Sequence, residues 1–113
     1  STTAENQTLS NPMYVHSIPS HNDNQDIVSM GTNSALITKK VIDNCFQVMA
    51  IHVFAICQAI DFLPKEDFNK LSSNTRKVYN GIRKVAPVIN EDKSQSETLN
   101  SLIQHIKKHT INL

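Results

Sequence analysis

The chain has 113 residues, of which 39% are hydrophobic and 5% aromatic, and its formal charge is only +1. This near balance of charge gives no support to nucleic acid or an anionic membrane surface as a partner, and we expect neither. Two glycines are few for a fold rich in tight turns, so the composition favours an all-α protein. The polar N-terminal segment lacks the hydrophobic stretch of a signal peptide, and we expect a cytoplasmic protein.

Residues 1–8 are predicted to form the end of a helix that begins mid-pattern and without a starting methionine, so we expect the sequence to be a fragment. Residues 9–24 are predicted to form a loop, because Pro12 and Pro19 disfavour helix in the residues before them. The run 22–24 offers side chains that can cap a following helix. Gln25 and Asp26 would then occupy its first turn, where the helix dipole favours negative charge.

Residues 25–63 are predicted to form one long central helix. One apolar stripe recurs every three or four residues: Ile42, Phe46, Met49, Val53, Ile56, Ile60 and Leu63. A second stripe lies beside it: Val41, Cys45, Val48, Ala55, Ala59 and Phe62. Between residues 48 and 57 the opposite side is apolar as well (Ala50, Ile51 and Phe54), so we expect the middle of this helix to be enclosed on all sides.

The predicted length of this helix points to a larger assembly. At 1.5 Å per residue it would extend roughly 55–60 Å, whereas a compact domain of this size is roughly 35 Å across. A membrane span is the alternative, but six polar residues interrupt the stretch: Asp43, Asn44, Gln47, His52, Gln58 and Asp61. We therefore expect neighbouring helices rather than a membrane around it.

Residues 64–113 are predicted to contain the C-terminal helices. Pro64 ends the long helix, and residues 65–71 can hold a short turn. A helix over residues 74–85 is predicted to be capped by Ser72 or Ser73. A further helix is predicted to open at the capping box formed by Ser94 and Glu97. Its apolar side consists of Leu99, Leu102, Ile103, Ile106 and Leu113.

The densest polar cluster covers residues 16–26, before the long helix. A helix N-terminus presents free N–H groups to an anionic ligand or to developing negative charge, although a loop with a cap and no chemistry explains the same residues. His105 and His109 have a spacing that can chelate a metal, but a third ligand is lacking, and we expect no metal site.

Other polar and reactive residues have structural interpretations. His52 lies in the most apolar part of the long helix, which favours a histidine of the core or of an interface. Cys45 and Cys57 are twelve residues apart on one helix, too far for a disulfide, and we expect buried thiols in a reducing compartment. Four basic residues, Arg76, Lys77, Arg83 and Lys84, are expected to form a solvated face.

Four stretches resemble one enzyme family. NPMYVHSIPSHNDNQDIVSMG at residues 11–31 resembles the "NPxSVxSIPxS…(Q/E)D…VSMG" stretch of histidine, phenylalanine and tyrosine ammonia-lyases and related aminomutases. AENQTLSNP resembles their "AENKxLxxP", and CQAIDFL resembles "CQAxDL". TRKVYNGIRKVAPVINEDK is similar to "TRxxYxxxRxxVPxxEEDK" of the aromatic lyase and aminomutase branch. Together these stretches cover nearly the whole chain in the expected order.

The resemblance implies that this chain is the C-terminal fragment of a larger helical-bundle enzyme that forms a homotetramer. Its partners would be the rest of its own polypeptide, sister subunits and a small amino acid substrate. In this family a methylidene-imidazolone (MIO) group, made from an internal Ala-Ser-Gly, acts as electrophile while ammonia and a β-proton leave. This chain contains no Ala-Ser-Gly, so the resemblance implies a cofactor formed elsewhere and no activity of the fragment alone.

The resemblance also implies three site residues. Gln25 matches the catalytic position next to the prosthetic group, which is Glu in histidine lyases and Gln in phenylalanine lyases. A neutral amide at this position would position the substrate rather than remove a proton from it. Asn24 matches the residue before it in plant phenylalanine lyases, near the substrate. His21 stands where those enzymes have a Glu near the substrate amine, and it departs from the pattern.

Three hypotheses remain open at the level of the sequence. The first is an ammonia-lyase acting on phenylalanine, tyrosine or histidine. The second is an aromatic 2,3-aminomutase on the same scaffold. The third is a helical interaction module without catalysis.

Overall fold

The structure, a computed structural model, describes residues 1–12 and 30–108. Within these ranges the chain forms five helices and no strand: α1 (Thr2–Leu9), α2 (Gly31–Asp61), α3 (Lys65–Lys70), α4 (Ser73–Val85) and α5 (Ser96–Lys108). The predicted all-α fold class with one long helix is confirmed. Most of the predicted loop, and the predicted start of the long helix at Gln25, lie outside the described residues.

Helix α2 is continuous, without a break at His52. Its 31 residues extend about 46 Å at the helical rise per residue. After Asp61 the chain tightens: the N–H groups of Phe62 and Leu63 donate to carbonyls three residues back, at 3.2 and 3.0 Å. Pro64 follows, and it has no N–H with which to continue the helix.

The chain divides into two compact units, residues 1–45 and residues 46–113, and α2 contributes residues to both. In the first unit, α1 has no buried residue, and polar side chains join it to Asn44 of α2.

The second unit contains an apolar core. Three of its members come from α2, one from α4, one from the residue after α4 and two from α5: Ala50, Phe54, Cys57, Ile82, Ala86, Leu102 and Ile106. Leu99 and Ile103 pack against this core, which confirms the predicted apolar side of α5 over its described residues. Leu113 lies outside them.

The side of α2 that the second unit buries differs from the predicted main stripe. Ala50, Phe54 and Cys57 are at most 6% exposed, whereas Ile42, Met49 and Ile56 of that stripe are 42–50% exposed. Helices α4 and α5 cover the side that carries Phe54, because the apolar faces of Ile82 and Leu102 meet it there. The expected enclosure on all sides is therefore absent within the described residues of this chain.

Local signals set the boundaries of the shorter helices. The residues predicted as a short turn form α3, which follows Pro64. Ser72, rather than Ser73, caps α4: its Oγ accepts from the N–H of Thr75 at 3.1 Å. The capping-box prediction at Ser94 is wrong. Helix α5 begins at Ser96, and the Ser94 hydroxyl lies 3.2 Å from the Ser96 hydroxyl instead of capping the helix.

By length and composition alone, α2 is the one helix in the described part of the chain that could cross a membrane. The core helix of a soluble protein meets the same criterion, so this property does not assign α2 to a membrane.

Candidate functional site

The site residues predicted from the sequence, Gln25, Asn24 and His21, lie outside the described residues. The structure describes the two helices between which these residues lie in the chain. Helix α1 ends at Leu9 before this segment, and α2 begins at Gly31 after it. Both of these helix ends belong to the first unit.

The densest polar constellation among the described residues is in the second unit, and we call it the Asp61 cluster: Gln58, Asp61, Tyr79 and Arg83. The Asp61 carboxylate accepts the hydroxyl of Tyr79 on one oxygen and an Nη–H of Arg83 on the other. The two charged side chains are only 11% and 14% exposed. The last residue of α2 is thus joined to α4 by a largely buried ion pair.

The same cluster holds the segment that leaves α4. Arg83 Nη1 donates to the carbonyl of Ala86 at 2.8 Å. The Gln58 amide pairs with the backbone of Ile89 in both directions: Nε2 donates to the carbonyl at 3.0 Å, and Oε1 accepts the N–H at 3.1 Å. An amide side chain suits this role because it carries one donor and one acceptor side by side.

Ring contacts and burial set the chemistry of the cluster. The Arg83 guanidinium lies 5.7 Å from the ring centre of Phe54 and 5.8 Å from that of Tyr79, within the range of cation–π attraction. The hydrogen bond to Asp61, together with burial, raises the pKa of Tyr79, so its phenol remains a donor at neutral pH. Apart from Arg83 Nε, which has no hydrogen-bond partner among the described residues, the polar groups are therefore engaged with one another, which suits holding the segments in place rather than moving protons.

Beside the cluster lies an open pocket of about 370 Å³. Asp61 and Tyr79 form part of its wall together with apolar Ile60, Leu63 and Phe68. The polar atoms that the cluster contributes to this wall are already hydrogen-bonded within it.

The sequence interpretation of Arg83 as part of a solvated basic face is wrong. Its side chain is only 11% exposed because Asp61, the last residue of α2, supplies an opposite charge across the helix contact. Periodicity gave no sign of this pairing. The signal was in the resemblance, since Gln58 and Asp61 belong to "CQAxDL" and Tyr79 and Arg83 to "TRxxYxxxR". The structure brings these motif residues together.

The histidines and cysteines considered in the sequence differ in their burial. His52 is exposed in this chain. Cys45, which was expected to be buried, is exposed as well. Cys57 is buried as expected, and burial raises the pKa of its thiol. His109 lies outside the described residues. No group of three or more His, Cys, Asp or Glu side chains that could hold a metal occurs among the residues described.

Comparison with known proteins places these features in one family. The family model for aromatic amino acid lyases matches residues 1–84. The histidine ammonia-lyase of Clostridium tetani is 39% identical over 89 residues, which cover 79% of this chain and 17% of that protein. The MIO-dependent tyrosine 2,3-aminomutase of Streptomyces globisporus is 33% identical over 96 residues, or 85% of this chain and 17% of that protein.

Solved structures agree. The crystal structure of tyrosine aminomutase from Streptomyces globisporus matches with a TM-score of 0.84 and 30% identity, over 95% of this chain and 20% of that one. The chain therefore spans about a fifth of the length of the proteins it matches. On the family-model match, the sequence identities and the shared helical fold, this chain belongs to the aromatic amino acid lyase family.

Proposed function

We propose that this chain works as a segment of an aromatic amino acid ammonia-lyase. The full enzyme would eliminate ammonia from phenylalanine, tyrosine or histidine and give an α,β-unsaturated acid. The observation that carries this proposal is similarity along nearly the whole chain to named histidine ammonia-lyases and to a tyrosine aminomutase. The share of those proteins that it spans, about a fifth, supports its being one part of the catalytic body.

In this proposal the chain contributes positioning groups. Gln25 would orient the substrate through a neutral amide, with Asn24 and His21 beside it. The electrophile of the family is the MIO group, formed from Ala-Ser-Gly. The residues of this chain do not fit its formation, because the two glycines follow Met30 and Asn80. The group would come from outside these 113 residues, and the chain alone would have no turnover.

The test uses the full-length protein that contains this chain. Histidine, tyrosine and phenylalanine are supplied separately, and urocanate, coumarate or cinnamate is followed by absorbance together with released ammonia. We expect one of the three acids to accumulate with equimolar ammonia, and the isolated chain to give none. No unsaturated acid and no ammonia from any substrate would contradict the lyase proposal and leave the aminomutase and the interaction module. Ammonia released by the isolated chain would contradict its predicted inactivity.

A second candidate is an aromatic 2,3-aminomutase, because both a relative and a matching solved structure are tyrosine aminomutases. An aminomutase returns the ammonia to the β-carbon. Chiral chromatography of the same reaction mixtures for a β-amino acid distinguishes it from a lyase, which gives only the unsaturated acid.

We further propose that sister subunits or the rest of the polypeptide cover the bare side of α2, as in a homotetramer. Within the second unit this side, which we call the apolar arc, consists of Val48, Met49, Ile51, Ala55, Ile56 and Ala59, all exposed. Ile51 and Ile56 are 52% and 50% exposed. A contiguous apolar surface of this kind favours association with another protein surface.

Ile56→Glu tests this proposal, because a carboxylate on the apolar arc would have to be buried on assembly. Gln104→Glu is the control, since Gln104 is exposed on α5 away from the arc. In sedimentation velocity of the isolated chain we expect the wild type and the control to associate and Ile56→Glu to sediment as a smaller species. A folded wild-type monomer, or an unchanged assembly in Ile56→Glu, would contradict it.

A further inference from the structure

A polar contact in the first unit attaches α1 to α2. Asn44, in the middle of α2, is 3% exposed and is the one buried polar residue among those that the structure describes. Both hydrogens of its amide are used: Nδ2 donates to Glu5 Oε2 at 2.9 Å and to Asn6 Oδ1 at 2.8 Å. The Asn6 amide continues the contact towards α2, with its Nδ2 3.5 Å from the carbonyl of Val41. Glu5 also lies 3.2 Å from Lys40.

Among the residues that the structure describes, few other contacts hold α1 in place. The helix has eight residues, none of them buried, and an isolated helix of this length is marginal in water. The Glu5–Lys40 pair is about half exposed, and exposed pairs contribute little. The hydrogen bond from Asn44 is the main cause that lowers the pKa of Glu5, ahead of the contact with Lys40. Asn44 is therefore the principal attachment of α1 within the described residues.

We infer that Asn44 is a positioning residue for the reaction. Residues 10–30 connect α1 to α2, and the proposed site residues Gln25, Asn24 and His21 lie on this connection. By joining the helix before the connection to the helix after it, Asn44 fixes the point from which the connection starts. The inference rests on the proposed function, because it assigns the positioned segment to the reacting centre.

Asn44→Asp is the sharpest variant because its shape is nearly conserved. It replaces the donor that faces Glu5 with a carboxylate, so two negative charges meet at a hydrogen-bond distance. In the full-length protein at neutral pH, we expect amide hydrogen exchange to rise at least about tenfold in α1, with little change in α4 and α5. We expect kcat to fall about tenfold to hundredfold, the scale of a small misplacement of reacting groups.

Two readouts separate positioning from a general loss of stability. The double variant Glu5→Gln with Asn44→Asp exchanges donor and acceptor, so the new amide can donate to the new carboxylate and kcat should recover several-fold. The pH dependence should also change sign. In the wild type the pKa of Glu5 is lowered, so the contact persists above the ordinary Glu value and is lost as the pH falls through the lowered value. In Asn44→Asp the contact should improve on acidification, because one carboxyl takes up a proton and donates.

Lys40→Met is the matched control, since it removes only the exposed ion pair on the same carboxylate, and its exchange and kcat should stay within about threefold of the wild type. If Asn44→Asp leaves the exchange of α1 and kcat unchanged, or if the double variant recovers neither, the inference is overturned. Increased exchange with kcat unchanged also overturns it, because α1 would then be held by Asn44 without affecting the reaction. If the wild type releases no ammonia, the proposed function fails and the positioning role fails with it, while the exchange data still report on the attachment of α1.

Discussion

We predict that Arg83→Met lowers the free energy of unfolding of the chain by about 3–5 kcal/mol, the range found when one partner of a buried ion pair is removed. The full value applies because the Arg83 and Asp61 side chains are only 11% and 14% exposed, so water screens the pair poorly. The variant leaves the Asp61 carboxylate with the Tyr79 hydroxyl, and it takes a donor from the carbonyl of Ala86. Methionine can keep the contact with the rings of Phe54 and Tyr79, so most of the loss reports on the charge.

Urea unfolding followed by far-UV circular dichroism measures this loss. Lys84→Met is the control, because Lys84 has the same charge but is exposed, and its effect should stay within about 0.5 kcal/mol. Adding Asp61→Asn to Arg83→Met should recover part of the stability, since it removes the uncompensated charge. An Arg83→Met variant that is no less stable than Lys84→Met would refute the assignment of a largely buried, stabilising pair.

The remaining predictions concern a tyrosine, a thiol and a glycine. Because the pKa of Tyr79 is raised, the extra stability of the wild type over Tyr79→Phe is present below the ordinary tyrosine value of about 10 and is lost as the pH rises through the raised value. Free energies of unfolding measured at several pH values test this. A stability advantage that grows with pH would contradict it. A colorimetric thiol reagent should label exposed Cys45 quickly and Cys57 only on unfolding, because Cys57 is 3% exposed and its thiol pKa is raised. In the variant Cys45→Ser, fast labelling of the remaining Cys57 would show the prediction to be wrong. Gly81→Ala should stabilise the chain by about 0.5–1 kcal/mol in the same urea experiment, because an added Cβ meets nothing within 4 Å in the middle of α4; a loss of stability would count against the helix as described.

Local sequence signals predicted the helices well. The end of α2 near Pro64, the cap of α4 at Ser72 and the apolar side of α5 all follow from residues close together in the chain. These signals succeed because a cap or a proline acts on backbone groups within one helical turn. Ser94 shows their limit: a hydroxyl with the right spacing found another hydroxyl nearby instead of the helix end.

The family was also evident in the sequence, through the order of its motifs, but the roles of the motif residues were not. Tyr79 and Arg83 meet Asp61 across a helix contact, although 18 and 22 residues separate them from it. Asn44 reaches Glu5 over 39 residues. Pairings of this kind depend on how helices approach one another, which periodicity along one helix does not encode.

The amino-acid sequence by itself therefore determined the helical class, the long apolar α2 and the membership of the aromatic amino acid lyase family. Only the tertiary structure decided which side of α2 is buried, because several of its sides are apolar and the side chains of Ile82 and Leu102 select the one that carries Phe54. It also decided that Asn44 is buried and that Arg83 is only 11% exposed, since a polar side chain leaves water only where distant residues supply its partners.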